Sequence, residues 1–421
     1  VVNFYVGINK GPMQKLTGLP RQQISRLVCE PLHTFKIGAG ANMDLTPYVE
    51  GIRKTGFPFE YWAAEVLQSM GWQVVTNRYY LDTDENKPRE LDIIAYKVSN
   101  LAGVSIYTVV LVSCKKSDSA NWVFLTRAAN KNDPNVKRNP VRIWTNYKSI
   151  SYASSQEQWG DSYQQLLKSK RLNGPMDDPN YDVFAIQEMW NVKPPEKAKN
   201  IGDARGDSNM FNSVVSLIKA QNHELKARAS HASKRKKPVI YQFNLVSLAD
   251  TNFVRLHFDK SKITTQAIDQ INYLGNYLID ESHVSSRITF VTKSKFKYIM
   301  GRFEKLHALN IEIFTQENIA FYNDILKDTN KIKFLQKDFF SRLASTVKIF
   351  TTGIRGGMIQ IGESDLTWNE SESLLEIEVS CTYDEVKTLN SSDGLKKSTA
   401  RILKDIFKFD GNFCFTEAVP F

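Results

Sequence analysis

"VVLVSCKKSD", residues 109–118, is the stretch on which the reading of this chain turns. Its first four residues are apolar without interruption, as in a strand covered on both faces, and it then ends on a polar cluster with two lysines. Successive strand residues face opposite sides, so Ser113 and Lys115 point one way while Cys114 and Lys116 point the other. The cluster is informative only if other parts of the chain converge on it.

Working outward, two further strand-like runs precede it, "WQVVTNRYY" (72–80) and "ELDIIAYKV" (90–98), separated by the turn-rich "LDTDENKPR". Asp92 stands beside the apolar run Ile93, Ile94 and Ala95, on the strand expected next to that of Lys115, and the two charges suit each other. Before the meander, "FPFEYWAAEVLQSMGW" (57–72) places Phe59, Trp62, Ala63, Val66, Leu67 and Met70 at helical spacing, with Pro58 in the first turn and Gly71 as the stop. In projection Glu60 lies at the margin of the apolar stripe beside Leu67, while Glu65 falls toward solvent.

The wider composition is that of a globular chain. Of 421 residues, 42% are hydrophobic and 24% charged, which argues against disorder and for more than one core. No apolar run approaches the roughly 18 residues of a membrane span, and "VVNFYVGINKGPMQ" has no signal-peptide pattern, so a soluble cytoplasmic protein without membrane contact is expected. Cys29, Cys114, Cys381 and Cys414 form no C-x-x-C pair, which leaves neither a zinc ribbon nor a disulfide framework. The net charge of +10 favours polyanionic partners.

Residues 1–49 are expected as an N-terminal arm, 50–330 as the main domain with an insert around 116–235, and 331–421 as a small α+β domain. Within the insert, 154–171 is expected as a helix, 181–190 as a strand and 209–228 as a helix. Strands are expected at 239–248, 252–258, 287–292 and 311–314, with helices at 265–280 and 295–309. The last part should run as helix 337–350, strands 357–362 and 373–383, helix 395–409 and a final strand from 412.

An acid on a helix, an aspartate on a strand and a lysine at the end of the next strand suit phosphodiester hydrolysis. A hard cation takes one or two carboxylates plus phosphate and water, and a lysine positions the attacking water. This order resembles the restriction-endonuclease-like, or PD-(D/E)XK, nuclease superfamily, with motifs over about residues 50–120. The resemblance implies an α/β fold with a central mixed sheet flanked by helices. It also implies catalytic roles for Asp92, Lys115 and Glu60, and Mg²⁺ or Mn²⁺ held by Asp92 and Glu60. At the position where the family carries Glu, Asp or Gln stands Ser113, a weak ligand. Glu60 or Glu90 could take over ligation, the site could tolerate a neutral ligand, or the domain could bind without cutting.

Lys116 is a phosphate-contact candidate, as is the basic stretch carrying Lys226, Arg228, Lys234, Arg235, Lys236 and Lys237. The function expected is a metal-dependent DNA endonuclease, by analogy an effector of antiviral defence or restriction, working alone, as a homodimer or in a larger defence complex. RNA stays open as a substrate. The alternative is a catalytically silent module that binds nucleic acid or a protein. "GIRGG" (353–357) lacks phosphate-loop spacing and reads as a glycine turn, and Glu376 and Glu378 read as the exposed face of an edge strand.

Overall fold

The computed structural model describes residues 44–418, apart from 83–84, 134–136, 173–179, 194–198, 232–236, 280, 324, 353–357 and 363. The chain forms two compact units, residues 1–51 and 52–421, and of the first only its end is described, in helix α1 (Thr46–Arg53). The N-terminal arm thus lies almost wholly outside the described residues, as do Lys234, Arg235, Lys236 and the "GIRGG" turn.

The second unit opens with α2 (Phe57–Ser69) and the meander β1 (Gln73–Asp82), β2 (Lys87–Leu101) and β3 (Val104–Lys116). There follow β4 (Ala120–Ala128), β5 (Arg142–Thr145), α3 (Lys148–Ser155), α4 (Trp159–Ser169), β6 (Tyr181–Trp190), β7 (Ala204–Gly206) and α5 (Ser208–Ser230). Next come β8 (Val239–Asp250), β9 (Phe253–Asp259), β10 (Lys262–Ile268), β11 (Gln270–Ile279), β12 (Ser282–Thr292) and α6 (Phe296–Asn323). The chain ends with α7 (Thr329–Thr351), β13 (Ser364–Asn369), β14 (Leu374–Val379), α8 (Tyr383–Ser391), α9 (Asp393–Phe407) and β15 (Phe413–Glu417).

The class is α/β, with mixed sheets flanked by helices. The main sheet runs β1-β2-β3-β8-β12-β11, antiparallel through the meander and parallel across β3, β8 and β12. Because β3 and β8 are parallel they need a long crossover, and α5 closes it. Alternation along the strands sends side chains to two different cores. Ile106, Val110 and Val112 of β3 meet α2 and α6 on one face, while Val109 and Leu111 meet α5 and the second sheet on the other. That second sheet, β10-β9-β4-β6-β7, is built partly from the segment 116–235, and its Trp122, Phe124 and Phe253 stack into the second core. No helix among the described residues is long and apolar enough to cross a membrane.

Several local expectations are corrected. Of the helix expected at 265–280, residues 265–268 belong to β10 and 270–279 to β11; the buried positions Ile271, Gly275 and Ile279 recur every four residues, a spacing that fits either a helix face or alternate strand positions. Gly275 packs close to α5 there: a Cβ would come within 2.9 Å of Ile218 Cδ1, so that side chain would have to shift. The strand expected at 311–314 is part of α6, whose buried residues Phe303, Leu306, Asn310, Ile313 and Phe314 keep helical spacing through it. β4, with its run Trp122–Leu125, is a strand of the insert for which no strand was expected before 181. Residues 358–362 are not a strand, and the strand falls later, at 364–369.

A third sheet, β13-β14-β15, packs with α7, α8 and α9 around Phe339, Leu375, Ile377 and Phe407. β14 is its central strand rather than an edge, so Glu376 and Glu378 pair sideways, accepting from Asn369 and Thr367. β14 ends at Val379 because Thr382 and Glu385 form a reciprocal cap that starts α8.

Candidate active site

The β2–β3 ladder is regular from Leu101↔Val104 to Ile93↔Val112 and stops there. Two residues further along β3, the backbone N–H of Cys114 donates to the side chain of Asp92 at Oδ2, 2.6 Å away, instead of to a carbonyl of β2. On the other side of β2, Asn77 of β1 has a left-handed backbone (φ 54°) and skips its pairing opposite Asp92. The strands therefore part around this residue, and its carboxylate sits at the fork.

Lys115 follows by the same alternation. Its Nζ lies 3.6 Å from Asp92 Oδ2, with side-chain exposures of 29% and 16%, so the pair is wet enough to meet a ligand. Ser113 is buried, and its hydroxyl is 3.4 Å from the same oxygen. Cys114 turns into the first core, where burial pushes its thiol well up.

Glu60 approaches from α2. Neighbouring Phe59 and Ala63 are buried against the sheet, which leaves Glu60 half-buried on the helix margin. Burial raises its carboxyl first, the negative charge of Asp92 raises it further, Lys115 opposes this and Glu90 adds to it. Glu60, Asp92, Lys115 and Glu90 thus share one electrostatic neighbourhood. The carboxyl of Glu90 is itself engaged, accepting from Asn77 Nδ2 at 2.9 Å and from the Tyr79 hydroxyl at 3.2 Å.

A pH test follows from Glu60. A raised folded-state pKa makes its stability contribution complete below the ordinary glutamate value and progressively lost as pH rises through the raised one. In Glu60→Gln this part of the slope should vanish from melting temperatures measured across the acidic range. A wild-type slope that survives the substitution would refute the assignment.

The phosphate-contact candidates are dispersed. Lys116 pairs with Asp118 at 3.1 Å beside the site. Lys237 precedes β8, whose first residue faces Ser105, whereas Lys115 faces Ala249. These are opposite ends of one parallel pair, roughly 30 Å apart at strand rise. Arg228 is held by Glu224 at 2.6 Å and lies over the Tyr241 ring, and Lys226 is exposed on the same helix end. Of the basic stretch, the described residues Lys226, Arg228 and Lys237 are therefore not brought to Asp92.

Sequence reasoning missed what lies beyond Lys116. The carboxyl ends of β8 and β12 open into a cleft of about 690 Å³, lined among others by Asn121, Asp250, Asn252, Asp269 and Lys293. Such ends are where open α/β sheets bind ligands. Lys293 bridges toward the site, with Nζ 3.2 Å from Asp250 and over the rings of Phe59 and Trp62 on either side of Glu60. The only signal for it was the parallel pairing of β3 with β8, which no single motif carries.

No protein-family model matches this chain, and neither a curated protein nor a solved structure matches it.

Among the described residues, no group of three or more His, Cys, Asp or Glu side chains is gathered as a metal cage. Mg²⁺ requires less, since it keeps several waters and takes one or two carboxylates. Asp92 and Glu60 fit that smaller set: each carries negative charge into the other's surroundings, which is what a divalent cation would relieve.

Proposed function

We propose that this protein is a metal-dependent nuclease that hydrolyses DNA phosphodiester bonds, with its site at the β2–β3 fork. The observation that carries the reading is the convergence of Asp92, Lys115 and Glu60, from two strands and a helix, at the end of a buried parallel pair. Asp92 and Glu60 would hold the cation. Bound there, Mg²⁺ or Mn²⁺ supplies charge neutralisation for the scissile phosphate and lowers the pKa of a coordinated water. Lys115 orients the attacking water, and its half-wet ammonium can also face the phosphate. Asp92 keeps Lys115 in place through their ion pair, and the Cys114 N–H keeps Asp92 in place. The cleft past Lys116 gives the substrate room to extend from the reacting phosphate.

The direct test incubates supercoiled and linear DNA with the protein in Mg²⁺ or Mn²⁺, beside Lys115→Ala and an EDTA control. Cleavage that needs the metal and is lost in the variant is expected. Cleavage indifferent to both would exclude this site.

A second reading rests on Ser113, which puts a neutral hydroxyl where the resembling family carries an acid: a module that binds nucleic acid and does not cut it. Ser113→Glu separates the two. With its side chain buried beside Asp92, a second carboxylate should lower the melting temperature in EDTA, recover it in Mg²⁺, and raise metal-dependent cleavage about 10-fold, near 1.4 kcal/mol of barrier. Equal destabilisation with and without Mg²⁺ would favour the silent module.

A further inference from the structure

β8 changes partners along one edge. β5 pairs with Ile240–Phe243 and β12 with Leu245–Ala249, so Asn244 sits at the break between them. Gln221 of α5 covers the break from one side, donating to the Phe243 carbonyl at 3.4 Å, and Gln242 is tied into a polar network with Tyr163 and Asn310 on the other. Between them lies a recess with about 20 Å³ of free space. That is room for the centre of one water-sized group.

Two arginines, Arg142 and Arg287, line this recess, and no acid does. Arg287 donates to the Arg138 carbonyl at 2.8 Å and to Asn139 Oδ1 at 3.1 Å. Arg142 has no ion pair among the described residues, and its Nε is buried without a hydrogen-bond partner. Burial alone lowers its pKa, and no carboxylate charge offsets that cost. A half-buried guanidinium without an anion is a costly arrangement, whereas a guanidinium facing an oxyanion makes short, paired hydrogen bonds.

We infer that the break between β5 and β12 is an oxyanion-binding site, in which one oxygen of a phosphate group occupies the recess and Arg142 supplies the fork that holds it. Arg287 adds the second positive charge, and the neutral amides of Gln221, Gln242 and Asn244 close the walls. Free phosphate and the terminal phosphate of a nucleotide present the same chemistry. The site stands apart from the β2–β3 fork, since Asn244 is in register with Val110, five residues before Lys115 and one strand over. Its occupancy would tie β5 to β12 and so close the sheet across the break.

The test is the melting temperature of the full chain in inorganic phosphate, sulfate, adenosine 5′-triphosphate or chloride, at matched ionic strength and without metal. Phosphate or sulfate should raise it where chloride does not, and the stronger of the phosphate and nucleotide arms names the source. Arg142→Gln should lose the shift and Arg142→Lys should keep only part of it. Lys115→Ala should keep it whole, which separates this site from the proposed active site. A shift unchanged in Arg142→Gln, lost in Lys115→Ala, or matched by chloride would overturn the inference. If Arg142→Gln does not fold, the Arg142→Lys response decides: a shift equal to wild type overturns the inference, and a reduced one supports it.

Discussion

Asp92→Asn should lower Mg²⁺-supported cleavage of supercoiled DNA by about 100-fold or more while leaving the fold in place. The estimate follows from what one group aimed at a reacting centre supplies, about 3 kcal/mol, and from the tenfold change in rate per 1.4 kcal/mol. The fold survives because an amide oxygen can still accept from the Cys114 N–H and the Ser113 hydroxyl, as the carboxylate does. What is lost is the charge that holds Lys115 and that, on the proposed reading, would share a cation with Glu60. The measurement is initial cleavage rate against metal concentration, with circular dichroism as the folding control. Were the variant to cut at the wild-type rate, Asp92 would be a structural cap of the fork and the nuclease reading would fall.

The largest stability effect should come from Asp82. Its carboxylate accepts from Lys219 Nζ at 3.0 and 2.9 Å and from Arg89 Nε at 2.8 Å, with the Asp82 and Lys219 side chains 1% and 7% exposed. Removing one partner of a buried pair leaves the other charge without compensation, and Asp82→Ala should cost about 3–5 kcal/mol in urea unfolding. The ions fasten the β1–β2 hairpin to α5, helped by Arg78 on Glu224 at 3.1 Å and by the Tyr80 hydroxyl on the Ser216 carbonyl. The same hairpin carries Glu90 and Asp92, so cleavage should fall as well. The double variant Asp82→Leu, Lys219→Met should recover much of the loss, because replacing both ions with apolar groups removes the uncompensated charge. A cost under about 1 kcal/mol for Asp82→Ala would mean that Glu85 and water already serve Lys219.

The part of the site that could be read from the sequence is the part fixed by short-range periodicity. Alternation in β3 put Ser113 and Lys115 on one face, the apolar stripe of α2 put Glu60 on its margin, and the meander made Asp92 a neighbour of Lys115. None of these depends on a distant contact. The role of the Cys114 N–H was hidden, because it arises only where β2 and β3 part, and nothing local marks that point. The cleft past Lys116 and the recess at Arg142 were hidden for the same reason: both are made by strands far apart in the chain, β8 with β12 and β5 with β8. Where local patterns were ambiguous the reading went astray, as at 265–280, where a four-residue spacing satisfied two geometries, and at 311–314, where four apolar-rich residues inside a helix looked like a strand.

Helix α6 has one more consequence. Phe296, Met300, Phe303 and Leu306 of its first half are built into the core beneath the main sheet, and Phe321 of its last turn is built into the core of the three-stranded sheet. At 28 residues it spans about 42 Å as one rod. A single lever is thus clamped at both ends. Any rotation of the β13–β15 region about its junction would have to be transmitted to the layer that carries α2, and a chain ended at residue 330 would leave Phe321 and Ile325 as greasy stumps in water.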